Sequence, residues 1–136
     1  MALDMTKYRA VFLEDATEHL ADMSRALLDL EKDTEHADAI DVLFRMAHSI
    51  KGMAASLEYD SIAEVSHVLE DRMQEIRSAG GVDGTEGLTL VFKGMEGLEA
   101  MIEVVRQTGE SPPPNPDLVN ALATPIAPAE CQKKKS

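Results

Sequence analysis

The sequence predicts an all-α fold, an antiparallel up-down four-helix bundle with a candidate short fifth helix, and three observations predict it. Apolar residues recur at steps of three and four through four long stretches, the period of a helix that buries one face. No stretch alternates Val, Ile or Thr with polar residues as a half-buried strand does. The stretches are joined by short polar or glycine-bearing connections, which favour antiparallel neighbours.

The first series runs Tyr8, Phe12, Ala16, Leu20, Met23, Leu27 and Leu30, and the polar stretch EKDTEHAD ends it. Apolar steps resume at Ile40, Leu43, Ala47, Ile50, Ala54 and Leu57 for a second helix. Ser61-Ile62-Ala63-Glu64 has the spacing of a capping box, with Asp60 as the alternative cap, and predicts the start of a third helix. Its inward series is Ile62, Val65, Leu69, Met73 and Ile76, and Gly80-Gly81 supplies the left-handed residue that stops it. A fourth helix follows from about Thr85, with Leu88, Val91, Phe92, Met95, Leu98, Ile102 and Val105 inward. Gly94 and Gly97 each cost this helix about 1 kcal/mol relative to alanine, and close helix packing is the expected reason for them.

Residues 1–108 are read as the bundle. Residues 109–123 hold the stiff linker GESPPPNP and the piece DLVNALA, the candidate docked helix, and 124–136 are expected to be a disordered tail. A chain of 136 residues is one ordinary domain that can bury a core without disulfides or metal. Its single cysteine, Cys131, supports neither a disulfide framework nor a thiolate metal site within one chain.

Thirteen Lys and Arg against 25 Asp and Glu give a formal net charge of -12. That charge repels phosphate backbones and anionic headgroups, so neither nucleic acid binding nor membrane insertion is expected. The start MALDMTKYRA lacks a signal-like apolar run and no stretch approaches a membrane span, so a soluble, cytoplasmic chain is expected.

Residues 46–56, MAHSIKGMAAS, place His48, Lys51 and Gly52 on a helix that also has to pack. At about 100° per residue, His48 lies roughly 120° from the inward direction, at the solvent flank. Gly52 and Ala55 stand one and two turns above it with almost no side-chain bulk, so another macromolecule can approach the ring; tight packing is the competing reason for Gly52. Folding the second helix back on the third about Tyr59 pairs His48 with Glu70 and Lys51 with His67. A carboxylate accepting the Nδ1 proton fixes the tautomer and leaves the Nε2 lone pair outward as an activated nucleophile. Lys51 adds positive charge where an anionic group on Nε2 sits, which suits accepting a phosphoryl group.

AHSIKG, with SHVLED downstream, resembles the histidine phosphotransfer (HPt, P1) domains of CheA-type chemotaxis histidine kinases, from about Tyr8 through the fourth helix. The resemblance implies that His48 is the phosphoacceptor on Nε2, with Glu70, His67 and Lys51 as the network around it and Gly52 and Ala55 at the partner-binding surface. It also implies two partners, a separate ATP-binding kinase domain and a CheY-like response regulator whose aspartate receives the phosphate. ATP and Mg are then used by the kinase domain, and no cofactor is bound by this chain. The chain carries no glycine-rich nucleotide motif, so no autonomous activity is expected. Met53 replaces a residue that is usually small in such domains, and Glu58 replaces a common glycine of the turn.

Other readings compete. Glu64-x-x-His67 matches one Glu-x-x-His element of a carboxylate-bridged di-metal bundle, which needs two such elements, and Glu64 is expected to face away from the core. A non-catalytic helical adaptor needs nothing beyond the acidic surface, and it leaves the arrangement of His48, Gly52 and Glu70 unexplained. His19 reads as a packed core residue, His36 as a solvated one in a polar connection, and the eight methionines as core filler.

Overall fold

In the computed structural model, which describes residues 5–82 and 84–123, five helices form and no strand does. They are α1 (Met5–Lys32), α2 (Ala37–Ser56), α3 (Asp60–Ala79), α4 (Gly84–Thr108) and α5 (Pro116–Ala123). The stretch expected to be a disordered tail lies outside the described residues. The backbones of neighbouring helices approach closely in the cycle α1–α2–α3–α4–α1 and not across either diagonal among the described residues, and α5 lies on α3 and α4. The core runs down the axis between the four long helices, through Phe12, Met23, Leu30, Leu43, Ile50, Ile62, Leu69, Met73, Leu98 and Ile102.

Two of the turns share one solution. After α3, the Gly80 N–H donates to the Arg77 carbonyl (3.2 Å) and the Gly81 N–H to the Ile76 carbonyl (3.2 Å), with Gly80 at φ 89°. After α2, the Glu58 N–H donates to the Ala55 carbonyl (3.1 Å) and the Tyr59 N–H to the Ala54 carbonyl (2.8 Å), with Glu58 at φ 65°. Both are Schellman ends, which need a left-handed residue just past the helix. Glutamate is less suited to that backbone than glycine, at a cost of about 1–2 kcal/mol. Tyr59, which follows, is buried edge-on against Phe12, with ring centroids 5.3 Å apart, and this fixes the hairpin about which α2 and α3 face each other.

Four local expectations are corrected. Ser61 does not cap α3, and Tyr59, at the capping position, makes no side-chain cap bond either. Instead the buried Ser61 hydroxyl donates to the Pro112 carbonyl (2.6 Å) and holds the proline-rich linker against the bundle. His36 is half-buried rather than merely solvated, because its Nδ1 accepts the Ala39 N–H (3.2 Å) and caps α2. Tyr8 and Phe92, both placed inward by the period, are 50% and 49% exposed. Tyr8 lies in the first turns of α1, the longest of the helices. On α4 the buried face is rotated toward α5 and takes in Gly94 and Met101, so Phe92 is left at its edge.

The candidate fifth helix forms and docks. The Asn115 side-chain oxygen accepts the Leu118 N–H (3.2 Å) ahead of Pro116, a residue suited to the first helical position. Leu118 and Leu122 press onto Gly97 and Gly94, where an added Cβ would lie 2.1 Å from Leu118 Cδ2 and 3.3 Å from Leu122 Cδ1. At the other end the buried Arg72 donates from Nε (3.1 Å) and Nη2 (2.6 Å) to the Leu122 carbonyl. A helix of eight residues is too short to persist alone in water, so these contacts hold it.

Candidate functional site

The α2/α3 hairpin brings His48 and Glu70 together as the reflection about Tyr59 requires. Glu70 Oε2 accepts the Nδ1 proton of His48 at 2.7 Å, so the ring is held as the Nδ1–H tautomer and Nε2 keeps its lone pair. The His48 side chain is 62% exposed while that of Glu70 is 12% exposed. The carboxylate is therefore fixed in the groove and the free nitrogen of the ring is turned toward solvent.

Lys51 does not pair with His67. Its Nζ lies 2.6 Å from Glu70 Oε1, an ion pair at hydrogen-bonding distance. Lys51 stands one turn from His48, and its flexible four-carbon stem reaches the carboxylate that the ring also uses. Glu70 thus divides its two oxygens between the ring and the ammonium. Burial pushes the Glu70 carboxyl upward, but the Lys51 and His48 contacts together outweigh that, and it titrates below its ordinary value. The carboxylate remains ionised, as an acceptor for the ring requires.

His67 is not part of this cluster. It lies on the outer ridge of α3, with Nε2 3.6 Å from Asp71 Oδ2, and no hydrogen bond or ion pair links it to His48, Lys51 or Glu70.

Gly52 and Ala55 are exposed beside the ring. A Cβ added at Gly52 would have nothing within 4 Å, so packing does not account for this glycine, and the helix face beside the ring is open. Ser56 turns its hydroxyl back onto the Gly52 carbonyl (3.0 Å), which keeps that side chain against the helix. Glu64 is exposed on α3, and among the described residues no three His, Cys, Asp or Glu side chains gather as a metal centre. No helix of the described residues is long and apolar enough to cross a membrane.

Residues 7–108 match the family model for the Hpt domain. The chain belongs to the Hpt domain family. The chemotaxis protein CheA of Bacillus subtilis (strain 168) is 32% identical to it over 108 residues, which is 79% of this chain and 16% of that protein. The chain thus spans about a sixth of the length of this curated relative. Among solved structures, the CheA phosphotransferase domain from Thermotoga maritima superposes with a TM-score of 0.70 at 28% identity, covering 77% of this chain and 99% of that one. The phosphorylated P1 domain of CheA3, solved in complex with CheY6 from R. sphaeroides, shares the fold of this Hpt domain with a TM-score of 0.77 at 24% identity, covering 85% and 92%.

One feature of this Hpt domain escapes reading from the sequence. Lys51 reads there as a charge for the incoming phosphate, and the structure adds that it is the counter-ion of Glu70. The available signal was the shared level of the two residues across the hairpin, since Lys51 is one turn from the partner of Glu70.

Proposed function

We propose that this Hpt domain is the phosphoacceptor and relay of a CheA-type chemotaxis kinase, and that His48 carries the phosphate. The observation that supports it most is the exposed ring whose Nδ1 is bonded to Glu70, which leaves Nε2 as the free nucleophile. Nε2 attacks the γ-phosphorus of ATP held by a separate kinase domain; the N–P bond forms, the bond to the ADP oxygen breaks, and ADP leaves. The ring becomes a phosphorylated imidazolium that keeps its Nδ1 proton, and the Glu70 carboxylate stabilises the positive charge. When an aspartate oxygen of a CheY-like regulator attacks the phosphorus, the N–P bond breaks and neutral imidazole is the leaving group. The Lys51 ammonium stands one turn from the ring, where it lowers the cost of bringing a polyanionic phosphoryl group beside an acidic protein.

In this reading the bundle of residues 1–108 acts in the cytoplasm as substrate and relay, residues 109–123 are linker and docked helix, and the chain has no autonomous kinase activity. ATP and Mg belong to the kinase domain, and the phosphoacceptor side needs no cofactor. Gly52 and Ala55 form the floor on which kinase and regulator approach. The test is incubation with ATP and a cognate kinase domain, followed by acid and base treatment. One acid-labile, base-stable phosphate is expected, and His48→Gln is expected to abolish it; label retained in that variant would falsify the assignment.

A further inference from the structure

The four grooves of the bundle differ in what covers them. The α2/α3 groove carries His48 and Glu70. The α3/α4 groove is filled by α5. The α1/α2 groove is lined by acids and arginines together, among them Asp22, Arg25, Asp29 and Arg45. The α1/α4 groove is open, with a volume of about 280 Å³, and it lies on the side of the bundle opposite His48.

That fourth groove is built like the one α5 fills. On α1 its wall is Thr17, Ala21 and Ser24, small residues at helical spacing that leave room for inserted side chains. Its floor is Leu20, Met95 and Ile102. Phe92 stands at its edge, 49% exposed, and Leu28, one turn beyond Ser24, is 56% exposed. Exposed large side chains gathered along one groove are unusual for a surface that stays in water.

Its rim is acidic. Glu96, Glu99 and Glu103 project from α4 at successive turns. Arg106 neutralises only the last of them, donating to Glu103 Oε1 (3.2 Å) and to Thr17 Oγ1 (3.0 Å), and so ties the two helices at one end. Glu96 and Glu99 have no ion-pair partner among the described residues, and the neighbouring Lys93 does not take that role. From Phe92 to Arg106 the rim runs about 21 Å, the length of a helix of about 14 residues.

We infer that the α1/α4 groove docks a basic amphipathic helix of a partner protein, with apolar anchors one turn apart entering between Phe92 and the small residues of α1 and with Lys or Arg against Glu96 and Glu99. The α5 helix shows the mode within the same fold, since Leu118 and Leu122, four residues apart, fill sockets left by glycines of α4. The acidic rim selects the sign of the partner's flanks. Docking here leaves the His48 face clear, so a tethered partner and phosphotransfer coexist.

The experiment titrates a synthetic Leu/Lys amphipathic peptide of about 14 residues into the isotope-labelled full chain and maps amide shifts. Saturable shifts centred on Ser24, Phe92 and Glu99 are expected, together with loss of affinity at high salt. Glu99→Lys and Phe92→Ser, both at exposed positions, are each expected to weaken binding roughly tenfold, whereas Glu64→Lys, the same charge change on the outer face of α3, changes it less than about twofold. Equal weakening by Glu64→Lys reduces the effect to net charge and overturns the proposal, as do absent saturation, shifts centred on α2 and α3, or concentration-dependent shifts of the same residues without peptide, which mean that a second copy fills the groove. Phosphate incorporation at His48 in the presence of saturating peptide separates this site from the phosphosite; it is expected to continue, and inhibition overturns the claim that the two faces are independent.

Discussion

The α2/α3 and α3/α4 faces share helix α3, and both rely on glycine within a neighbouring helix, yet one is left open and the other is filled. At Gly52 an added Cβ would meet nothing within 4 Å, and the space beside His48 is open. At Gly94 and Gly97 the space is taken by Leu69, Leu118 and Leu122, so helix five can lie down on the bundle. The same residue type thus leaves an open face on one side and a packing socket on the other. A glycine in a helix is destabilising in itself, and what fills the space left by its missing side chain decides which purpose it serves.

The largest expected break in this comparison is at the open face. Glu70→Gln replaces the acceptor of the Nδ1 proton with a neutral amide, and phosphorylation of His48 is expected to slow roughly 10- to 100-fold while the circular dichroism spectrum is unchanged. The same variant tests the electrostatics. The folded carboxyl lies below its unfolded value, so its contribution to stability is complete above the unfolded carboxylate pKa and is lost as pH falls through the lowered folded value. The stability difference between wild type and Glu70→Gln, taken from urea titrations, is therefore expected to shrink between about pH 5 and pH 3. A difference constant across that window removes the ion-pair account of Glu70.

On the filled face, Arg72→Met removes both donors to the Leu122 carbonyl while keeping most of the side-chain volume. A loss of about 2–3 kcal/mol is expected, with faster amide exchange concentrated in residues 116–123. Exchange that rises uniformly along the chain contradicts the role of Arg72 as the clamp of α5. Gly97→Val drives two methyl groups into Leu118, and overpacking there is expected to cost about 1–3 kcal/mol in urea denaturation.

The smallest effect sharpens the contrast because its sign reverses. Gly52→Ala adds a methyl group to open space and restores helix propensity, so the fold is expected to gain about 0.5–1 kcal/mol. If access is the purpose of this glycine, the kinase domain's KM for the Gly52→Ala variant as substrate rises while the stability of that variant improves. An unchanged KM assigns Gly52 no part in partner approach.

The residue pattern by itself determined the four long helices, the stop at Gly80 and the meeting of His48 with Glu70. Each follows from a repeat length and a fixed rise per residue, and the pairing needs only the further step of folding one rod back on another about Tyr59. The aid from Lys51 to the carboxylate, the detachment of His67, the bond from Ser61 to the linker and the capping of α5 by Arg72 were decided by the tertiary structure. These depend on where a long or polar side chain finds a partner far away in the chain, and periodicity carries no information about that. Tyr8 and Phe92 mark the same limit from the apolar side. The period gives the face on which a residue lies, but burial needs another element above that face, and for these two residues the assembled bundle supplies none.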